Sequence, residues 1–382
     1  MFSNIYEELS ISTKEIIGDV KLPTPKETQE ILQKSLEGNL PLEDSVRLLE
    51  IGNHPEAQEQ FDLMREFTYL QFRNQPNKLR HIAPVYLSSY CIDTCGYCNF
   101  SAKRKDVKRA RLELSRLEEE LSEVLGSGNR VIEFTLATDP EFTPEVLAEY
   151  ISKTREILSG EQGSGILLCS DHFTEEKYRN LKEAGLWGIV QWDETLDKEI
   201  YEKWHKSSPR KSDFTTRTNN HDRAIHAGLE VATGCLFGLS DFRYDVLMQL
   251  AKIRYLGQEH GIKPFVFGTP RLKPIAGKQL HPKFEVNDRQ YETALMVYKI
   301  SEPNIARWLQ TRESPELNLR NILDGDFYTY RCGEVKPGGY KVNINSLDTC
   351  KGGQFGVSEM TSKQFEEELN IKGFRVDYSW IR

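Results

Sequence analysis

The sequence has no apolar run long enough to span a membrane, and its opening residues, MFSNIYEELSISTKE, do not show the basic-then-apolar order of a signal peptide. It also lacks a surplus of basic residues, because 50 lysines and arginines are outnumbered by 58 aspartates and glutamates, for a formal net charge of −8. Such a balance disfavours a protein whose main function is binding nucleic acid. We therefore expect a cytoplasmic protein that has neither a membrane nor a nucleic acid as its partner.

Cysteine is also scarce, with seven in 382 residues, and their odd number and uneven spacing do not resemble the disulfide framework of a secreted protein. Three of the seven nevertheless form a C-x3-C-x2-C motif at Cys91, Cys95 and Cys98. The motif directly follows the apolar run 82–87, which predicts a strand. The other cysteines are interpreted as buried or incidental thiols, namely Cys169, Cys235, Cys332 and Cys350.

The cysteine motif calls for a chemical explanation. Three thiolates on one short loop can hold three irons of a [4Fe–4S] cluster and leave the fourth iron open for a small ligand. A zinc site would normally have a fourth protein ligand and paired C-x2-C spacings, and the sequence has neither a second C-x2-C nor a histidine spaced to complete the set. The spacing therefore favours a cluster, with a zinc site and unliganded thiols as the alternatives.

From residue 82 onward, short apolar runs alternate with amphipathic stretches, which predicts parallel βαβ units. The predicted strands are 82–88, 131–137, 165–170, 188–192, 231–239, 265–272, 306–311 and 327–331. A series of six to eight such units predicts an α/β fold of the TIM type, a (β/α) barrel that is complete or partly open. The active site of such a barrel lies at the C-terminal ends of its strands, where the cysteine loop begins.

The pattern divides the chain into three parts. Residues 1–80 predict an N-terminal helical extension, in which Thr24 and Glu27 form a capping box around Pro25. Residues 81–332 hold the barrel, and residues 333–382 predict a small C-terminal cap or lid. The basic residues within 103–111 are interpreted as part of a solvated loop that leads into a helix.

The motif after the first strand of a βα barrel, with Tyr97 before its last cysteine, resembles the signature of the radical S-adenosylmethionine (SAM) superfamily. This resemblance implies a [4Fe–4S] cluster on Cys91, Cys95 and Cys98, with SAM bound at the open iron. It also implies reduction by a flavodoxin- or ferredoxin-like one-electron donor, which cleaves SAM to a 5′-deoxyadenosyl radical that takes hydrogen from the substrate.

Six phrases in chain order resemble the aromatic amino acid lyases of that superfamily: PVYLSSYC from residue 84, DET from 193, GLSD from 238, PRLKP from 270, TRESP from 311 and PGGY from 337. The resemblance implies Cα–Cβ cleavage of free L-tyrosine to 2-iminoacetate (dehydroglycine) and p-cresol, with a downstream synthase to take the unstable imine. The same machinery acting on L-tryptophan or another amino-acid-like metabolite is one alternative. A non-catalytic iron–sulfur or zinc scaffold is the other. The branch with a second, C-terminal cluster is disfavoured, because Cys332 and Cys350 do not form its C-x2-C motif.

The resemblance also assigns the cofactor-binding residues. Tyr97 would contact the adenine of SAM, and Glu194, at the end of the fourth strand, would reach the cofactor. Arg217 would pair with the carboxylate of SAM, because a guanidinium grips a carboxylate with two parallel hydrogen bonds. Asp139 stands where the family places a glutamate that contacts the cofactor's amino group.

Three further residues are predicted on the substrate side by the same resemblance. Arg312 would hold the carboxylate of the amino acid, Tyr86 would line the substrate pocket, and Arg271 would point into the same mouth. Each assignment has a structural alternative: core packing for Tyr86, and covering of the barrel ends for the two arginines.

Several residues near the expected site depart from the commonest pattern of the lyases. Trp192 stands where tyrosine or phenylalanine is usual, Asp193 where glutamine is common, and Asn99 where glycine is frequent. The extra carboxylate of Asp193 indicates either a substrate with a cationic or hydrogen-donating group or a satisfied acid behind the site.

Overall fold

A curled parallel sheet organises the chain. The computed structural model describes residues 1–38, 40–73, 77–275, 282–329, 335–343, 353–355 and 360–381. Its strands are β1 (Asn77–His81), β2 (Ala83–Ser88), β3 (Val131–Leu136), β4 (Gly165–Cys169), β5 (Gly188–Val190), β6 (Glu230–Gly234), β7 (Val266–Gly268), β8 (Ala306–Leu309), β9 (Phe327–Tyr328) and β10 (Phe374–Asp377). From edge to edge their order is β10-β1-β9-β8-β7-β6-β5-β4-β3-β2. All the described pairings are parallel, as the βαβ pattern predicts.

The sheet forms a partly open barrel, which is one of the two predicted forms. Arg80 in β1 pairs with Phe327 in β9, whereas Ala83 in β2 pairs with Ile132 in β3. Because β1 and β2 are consecutive in the chain, the sheet nearly closes at residue 82. Beyond residue 82, β2 pairs with β3 and with no other described strand. The barrel is therefore open beside β2 at the C-terminal ends of its strands.

The helices cover the outside of the sheet. In chain order they are α1 (Tyr6–Gly18), α2 (Pro25–Ser35), α3 (Leu42–Glu50), α4 (Gln58–Phe72), α5 (Leu117–Gly126), α6 (Pro144–Ile157), α7 (Glu175–Ala184), α8 (Lys198–His205), α9 (Phe214–Thr218), α10 (Asn220–His226), α11 (Phe242–His260), α12 (Asp288–Ser301), α13 (Pro315–Asn321) and α14 (Ser362–Ile371). The predicted capping box of α2 is confirmed, since Thr24 accepts from the amide of Glu27 and Glu27 accepts from that of Thr24. No helix in the described ranges is long and apolar enough to cross a bilayer.

The two faces of each strand have different surroundings. In β3, Ile132 and Phe134 pack into the large core beneath the helices, while Val131 belongs to a smaller cluster inside the barrel. Because side chains alternate along a strand, Glu133 and Thr135 also face the barrel interior. Both of them line its cavity.

The N-terminal helices are fixed to the barrel by buried polar contacts. The hydroxyl of Tyr6 donates to the carbonyl of Leu196 at 2.8 Å, and Ser10 lies 2.8 Å from the hydroxyl of Tyr244. The boundary predicted at residue 80 falls inside β1, so the sheet begins a few residues earlier than predicted. Polar residues of the NKLRH segment hide this strand, because it gains its partners only from the end of the chain, through pairing with β9 and β10.

The C-terminal part of the chain contributes a strand to the sheet in addition to the predicted cap. Strand β10 extends the sheet beside β1, and Trp380 then packs against Phe327 with ring centroids 4.6 Å apart. The indole of Trp380 also donates to the carbonyl of His81 at 2.8 Å. This aromatic contact lies at the N-terminal end of the barrel. The predicted cap also has described residues toward the opposite, C-terminal end of the barrel, namely 335–343 and 353–355.

Candidate active site

A cavity occupies the C-terminal end of the barrel and encloses about 1520 Å³ of empty space, including its solvent-open mouth. Predicted site residues that line it are Tyr86, Cys91, Cys95, Tyr97, Cys98, Glu194, Arg217 and Arg312. Residues that lie far apart in the sequence therefore meet in one place. Asp139 and Arg271 are the two predicted residues that do not line this cavity.

The cysteine motif contributes three free thiols to the cavity wall. Burial raises the pKa of Cys91 to about 11 and that of Cys95 to about 12, so a bound metal would have to displace their protons. In the described part of the chain, no three potential ligand side chains converge as a single metal ion requires. The cysteines of a cluster bind different irons, so this donor set fits a [4Fe–4S] cluster better than zinc.

Arg109 holds the cysteine loop in place. Its guanidinium donates to the carbonyls of Ser89 at 2.6 Å, Phe100 at 2.9 Å and Ser101 at 2.8 Å, on both sides of the motif. Arg111, from the same basic run, instead pairs with Asp139 at 2.7 Å. The interpretation of this run as a solvated loop is therefore wrong for these two arginines, because both are tied down by hydrogen bonds.

Glu194 has an unusual backbone conformation at the cavity. Its φ of 67° makes it the single non-glycine residue in the left-handed region among the residues described. Such a conformation costs roughly 1–3 kcal/mol and is concentrated at functional sites. Burial would raise the pKa of Glu194, but Lys211, whose ammonium lies 2.7 Å from its carboxylate, and Arg217 lower it to about 2. The cavity therefore contains a permanently ionised carboxylate.

Arg217 presents unused hydrogen-bond donors. One terminal nitrogen donates to the carbonyl of Trp192 at 3.0 Å and lies 3.9 Å from Glu194. The Nε and Nη1 atoms are buried and have no partner among the described residues. Leaving charged donors unpaired inside a protein is costly, so Arg217 is suited to bind an anion within the cavity.

Tyr97 is fixed by its neighbours. His205 uses Nδ1 to donate to the carbonyl of Tyr201 at 2.7 Å, and burial lowers the pKa of His205 to about 4, so its ring is neutral. The Nε2 atom therefore accepts from the hydroxyl of Tyr97, at 2.7 Å. Trp204 packs against the Tyr97 ring with centroids 5.6 Å apart. The motif thus holds one rigid aromatic ring at the cavity.

Arg312 and Tyr86 meet the C-terminal segment at the barrel opening. The guanidinium carbon of Arg312 lies 3.8 Å from the centroid of the Phe355 ring, and Tyr86 donates to the side-chain oxygen of Gln354 at 2.8 Å. Burial lowers the pKa of Arg312, yet a guanidinium stays charged at neutral pH. No carboxylate of the described ranges lies within 4 Å of it. Arg312 is thus a second cation that is available to an anion.

Comparisons with known proteins show which proteins this chain resembles. The chain is similar to the 2-iminoacetate synthase of Escherichia coli (strain K12), with 29% identity over 274 residues, 71% of each protein. It also resembles the [FeFe]-hydrogenase maturase HydG from Carboxydothermus hydrogenoformans, with a TM-score of 0.85 and 26% identity over 99% of this chain and 85% of that one. No family model matches the chain. These relatives confirm the resemblance to the radical SAM superfamily.

Both relatives indicate an enzyme that resembles the aromatic amino acid lyases of the radical SAM superfamily. Its relatives imply a [4Fe–4S] cluster and SAM. A more distant relative is the 3-methylornithine synthase of Methanosarcina acetivorans, 24% identical over 188 residues, 48% of this chain and 51% of that protein. Cys332 and Cys350, which sequence analysis compared with the second cluster motif of one lyase branch, lie outside the described residues.

Arg271 lies beside the radical SAM cavity and does not line it. Its guanidinium pairs with Glu313 and, at 2.8 Å, with Asp288, and it stacks over Tyr291. These partners use the donors that a substrate would need. The prediction that Arg271 points into the mouth has no support in this geometry, and the structural alternative accounts for the residue.

Asp139 is also occupied by protein partners. Its carboxylate accepts from Arg111 at 2.7 and 3.0 Å and from the hydroxyl of Ser88. The preceding residue, Thr138, lines the cavity in its place and donates to Asp93 at 2.6 Å. Cofactor binding by Asp139 stays a prediction.

Asp193 is a satisfied acid behind the site. It pairs with Lys252 at 2.8 Å and accepts from Gln249 at 2.9 Å, on α11 outside the barrel. Trp192 points the other way and lines the cavity. Its indole needs the glycines of β6 and β7, since a Cβ at Gly268 would lie 2.4 Å from the ring. The carboxylate of Asp193 thus indicates nothing about the substrate.

Asn99, at a position where the lyases frequently have glycine, makes a structural hydrogen bond. Its amide nitrogen donates to the carbonyl of Gly353 at 2.6 Å. A glycine in its place would lose this hydrogen bond. Asn99 therefore connects the cysteine loop to the segment that carries Gln354 and Phe355.

Sequence analysis missed several polar residues of the cavity wall. Glu133 and Thr135 on β3, Cys169 at the end of β4, and Lys211 all line it. Glu133 could have been predicted, because it is a carboxylate within the apolar segment VIEFTL, at a position that faces inward. Lys211 lies in a polar loop where no pattern distinguishes it from its neighbours.

Proposed function

We propose that the protein is a radical SAM lyase that cleaves the Cα–Cβ bond of L-tyrosine, with 2-iminoacetate and p-cresol as products. The observation that carries this proposal is the pair of cations, Arg217 and Arg312, in the same cavity as three free thiols. The reaction brings together two amino-acid carboxylates, one on SAM and one on the substrate. Two guanidinium groups with free donors match that requirement.

Cys91, Cys95 and Cys98 would hold the [4Fe–4S] cluster, and Arg217 would bind the carboxylate of SAM. When bound, the cluster supplies an electron to SAM, which yields methionine and a 5′-deoxyadenosyl radical. Tyr97, which His205 and Trp204 hold at the cavity, would pack against the adenine.

Arg312 would hold the substrate by its carboxylate, so that an amino N–H of the substrate faces the radical. Loss of that hydrogen atom allows the Cα–Cβ bond to break. The products are 2-iminoacetate and a radical fragment that is one hydrogen atom short of p-cresol. One more electron and a proton convert the fragment to p-cresol. Both electrons would come from a flavodoxin- or ferredoxin-like donor. A synthase that consumes the imine is a plausible downstream partner on chemical grounds, because free imines hydrolyse.

The test is an anaerobic assay of the iron-reconstituted protein with reductant, SAM and single amino acids. We expect 5′-deoxyadenosine together with p-cresol when tyrosine is supplied. Indole products from tryptophan without p-cresol would reject the tyrosine assignment, and zinc in place of iron would reject radical chemistry altogether.

The role of Arg312 has a separate prediction. Arg312→Ala should lower tyrosine turnover by at least about 100-fold, because a carboxylate that is not fixed loses the alignment that hydrogen transfer requires. Iron content should stay unchanged. Arg179→Ala is the matched control, since its guanidinium is exposed on α7. Loss of iron in Arg312→Ala alone would mean that the residue supports the cluster and not the substrate.

A further inference from the structure

Glu133 is a buried carboxylate to which neither the proposed chemistry nor the cofactor assigns a role. It lies in the middle of β3, between Pro84 of β2 and Leu167 of β4, and only 6% of it is exposed. Its side chain faces the barrel interior and lines the cavity together with Tyr86 and Arg312.

The carboxylate of Glu133 has no cation as a partner. No lysine, arginine or histidine nitrogen in the part of the chain described here lies within 4 Å of it, and the adjacent polar groups are the thiol of Cys169 and the hydroxyl of Thr135. Among the other acids of the wall, Glu194 pairs with Lys211 and Asp171 with Arg210, while Asp93 accepts from the hydroxyl of Thr138 and the amide of Arg210. Burial raises the pKa of Glu133 to about 7, as expected for an acid that lacks a counter-charge.

The position of Glu133 differs from that of Arg312. Glu133 lies within β3, three residues before the strand ends, whereas Arg312 follows β8 and lies in the loop at the mouth. Strand residues rise about 3.3 Å each, so the carboxylate originates roughly 10 Å below the end of β3. Tyr86 lies near both, since Glu133 raises the pKa of its hydroxyl and Arg312 lowers it.

The wall of the cavity that Glu133 lines suits an aromatic ring. Trp192 and Trp308 line it with their ring centroids 5.5 Å apart, and Val190 adds an aliphatic surface. A flat apolar ring packed against such residues buries well, provided that any polar end finds a partner. Glu133 is a hydrogen-bond acceptor on the same wall that has no cationic partner among the described residues.

We propose that Glu133 selects the substrate by accepting a hydrogen bond from an O–H or N–H at the far end of an aromatic side chain, while Arg312 binds the α-carboxylate. The inference rests on the proposed function and names the substrate class more closely: aromatic amino acids that end in a donor. An analogue without the donor would leave the carboxyl group without the hydrogen bond that the substrate supplies, and sites of this kind reject such analogues strongly. For L-tyrosine the donor is the phenolic O–H.

The test measures binding without turnover. The iron-reconstituted holoenzyme with SAM and no reductant is titrated calorimetrically with L-tyrosine, L-phenylalanine, 4-amino-L-phenylalanine and L-tryptophan. We expect wild type to bind tyrosine at least about tenfold more tightly than phenylalanine. Glu133→Leu should remove this preference, and Glu133→Gln, which keeps an acceptor oxygen, should retain part of it. Glu149→Gln, at an exposed glutamate on α6, is the control and should bind like wild type.

The outcomes separate this inference from the proposed function. Equal affinities of wild type for tyrosine and phenylalanine, or an unchanged preference in Glu133→Leu, would overturn the role of Glu133 even if p-cresol forms. If tyrosine does not bind but another donor-bearing amino acid does, and only Glu133→Leu weakens it, the tyrosine assignment fails and the role of Glu133 stands. Iron content and the thermal midpoint of each variant check that the site is intact.

Discussion

At the scale of single residues, two groups of the cavity wall lack the partners that a buried charge needs. Arg217 has two buried nitrogens without a partner among the described residues, and Glu133 lacks a cation. Asp193 shows the opposite behaviour, because Lys252 and Gln249 satisfy it outside the barrel. An uncompensated charged group on a cavity wall therefore indicates a ligand site more specifically than burial alone does.

The raised pKa of Glu133 predicts a pH dependence of stability. A carboxyl group with a folded pKa of about 7 and an unfolded pKa near 4.5 stabilises the fold fully below about pH 4.5, and this contribution is lost as the pH rises to 7. Glu133→Gln should lack this loss. The free energy of unfolding of wild type should therefore fall by up to about 3 kcal/mol relative to Glu133→Gln between pH 5 and 8.

Urea denaturation at several pH values measures this difference. Burial also raises the pKa of Asp245 to about 7, but that group is present in both proteins and cancels in the comparison. Parallel pH profiles for the two proteins would mean that Glu133 is ionised or paired in a way that the geometry does not account for.

The residue scale also shows why only part of the site can be predicted from sequence. The thiols follow from the motif spacing, and Glu194 and Arg312 follow from the resemblance to the lyases. The directions of Arg271 and Asp193 do not, because each depends on a counter-charge that lies far away in the sequence. The left-handed backbone of Glu194 is not predictable either, since only the surrounding fold can hold a glutamate in that conformation.

At the scale of elements, the cysteine loop depends on contacts from the segment that follows it. Arg109 binds carbonyls on both sides of the motif, and Asn99 connects it to the segment at Gly353. A loop of this length has no regular hydrogen bonding of its own, so these side chains determine the positions of the thiols.

Arg109→Ala should therefore weaken the retention of the cluster. Several charge-assisted hydrogen bonds to carbonyls disappear in this variant, and the thiols would lose their fixed spacing. We expect reconstituted Arg109→Ala to lose iron several-fold faster than wild type when a chelator is added. Lys105→Ala removes a nearby exposed charge and should behave like wild type. Equal rates of iron loss in all three proteins would show that the loop holds its shape without Arg109.

At the scale of the whole molecule, the alternating pattern of strands and helices predicted the barrel, but not the strand β1 at its edge. β1 and β10 are short segments that pair with each other although almost 300 residues separate them. In β10, Phe374 and Val376 alternate with polar residues, as in a typical strand, whereas β1 has a single apolar residue and gains its partners only when the chain ends meet. Their pairing closes the end of the barrel that faces away from the thiols.

Because the chain end packs far from the cavity, we expect a substitution there to lower stability and leave SAM binding unchanged. Trp380 packs against Phe327 and Trp187 and donates to the carbonyl of His81, so Trp380→Ala should lower the free energy of unfolding by about 2–4 kcal/mol. SAM binding should be unchanged at 25 °C, because the indole lies at the opposite end from the cavity. Ile371→Ala is the control, since that side chain is 79% exposed and should change stability by less than about 0.5 kcal/mol. Urea denaturation and calorimetric titration with SAM provide the two measurements. A loss of SAM binding in Trp380→Ala without a loss of stability would contradict the placement of the chain end, because it would require the indole to act on the cavity directly.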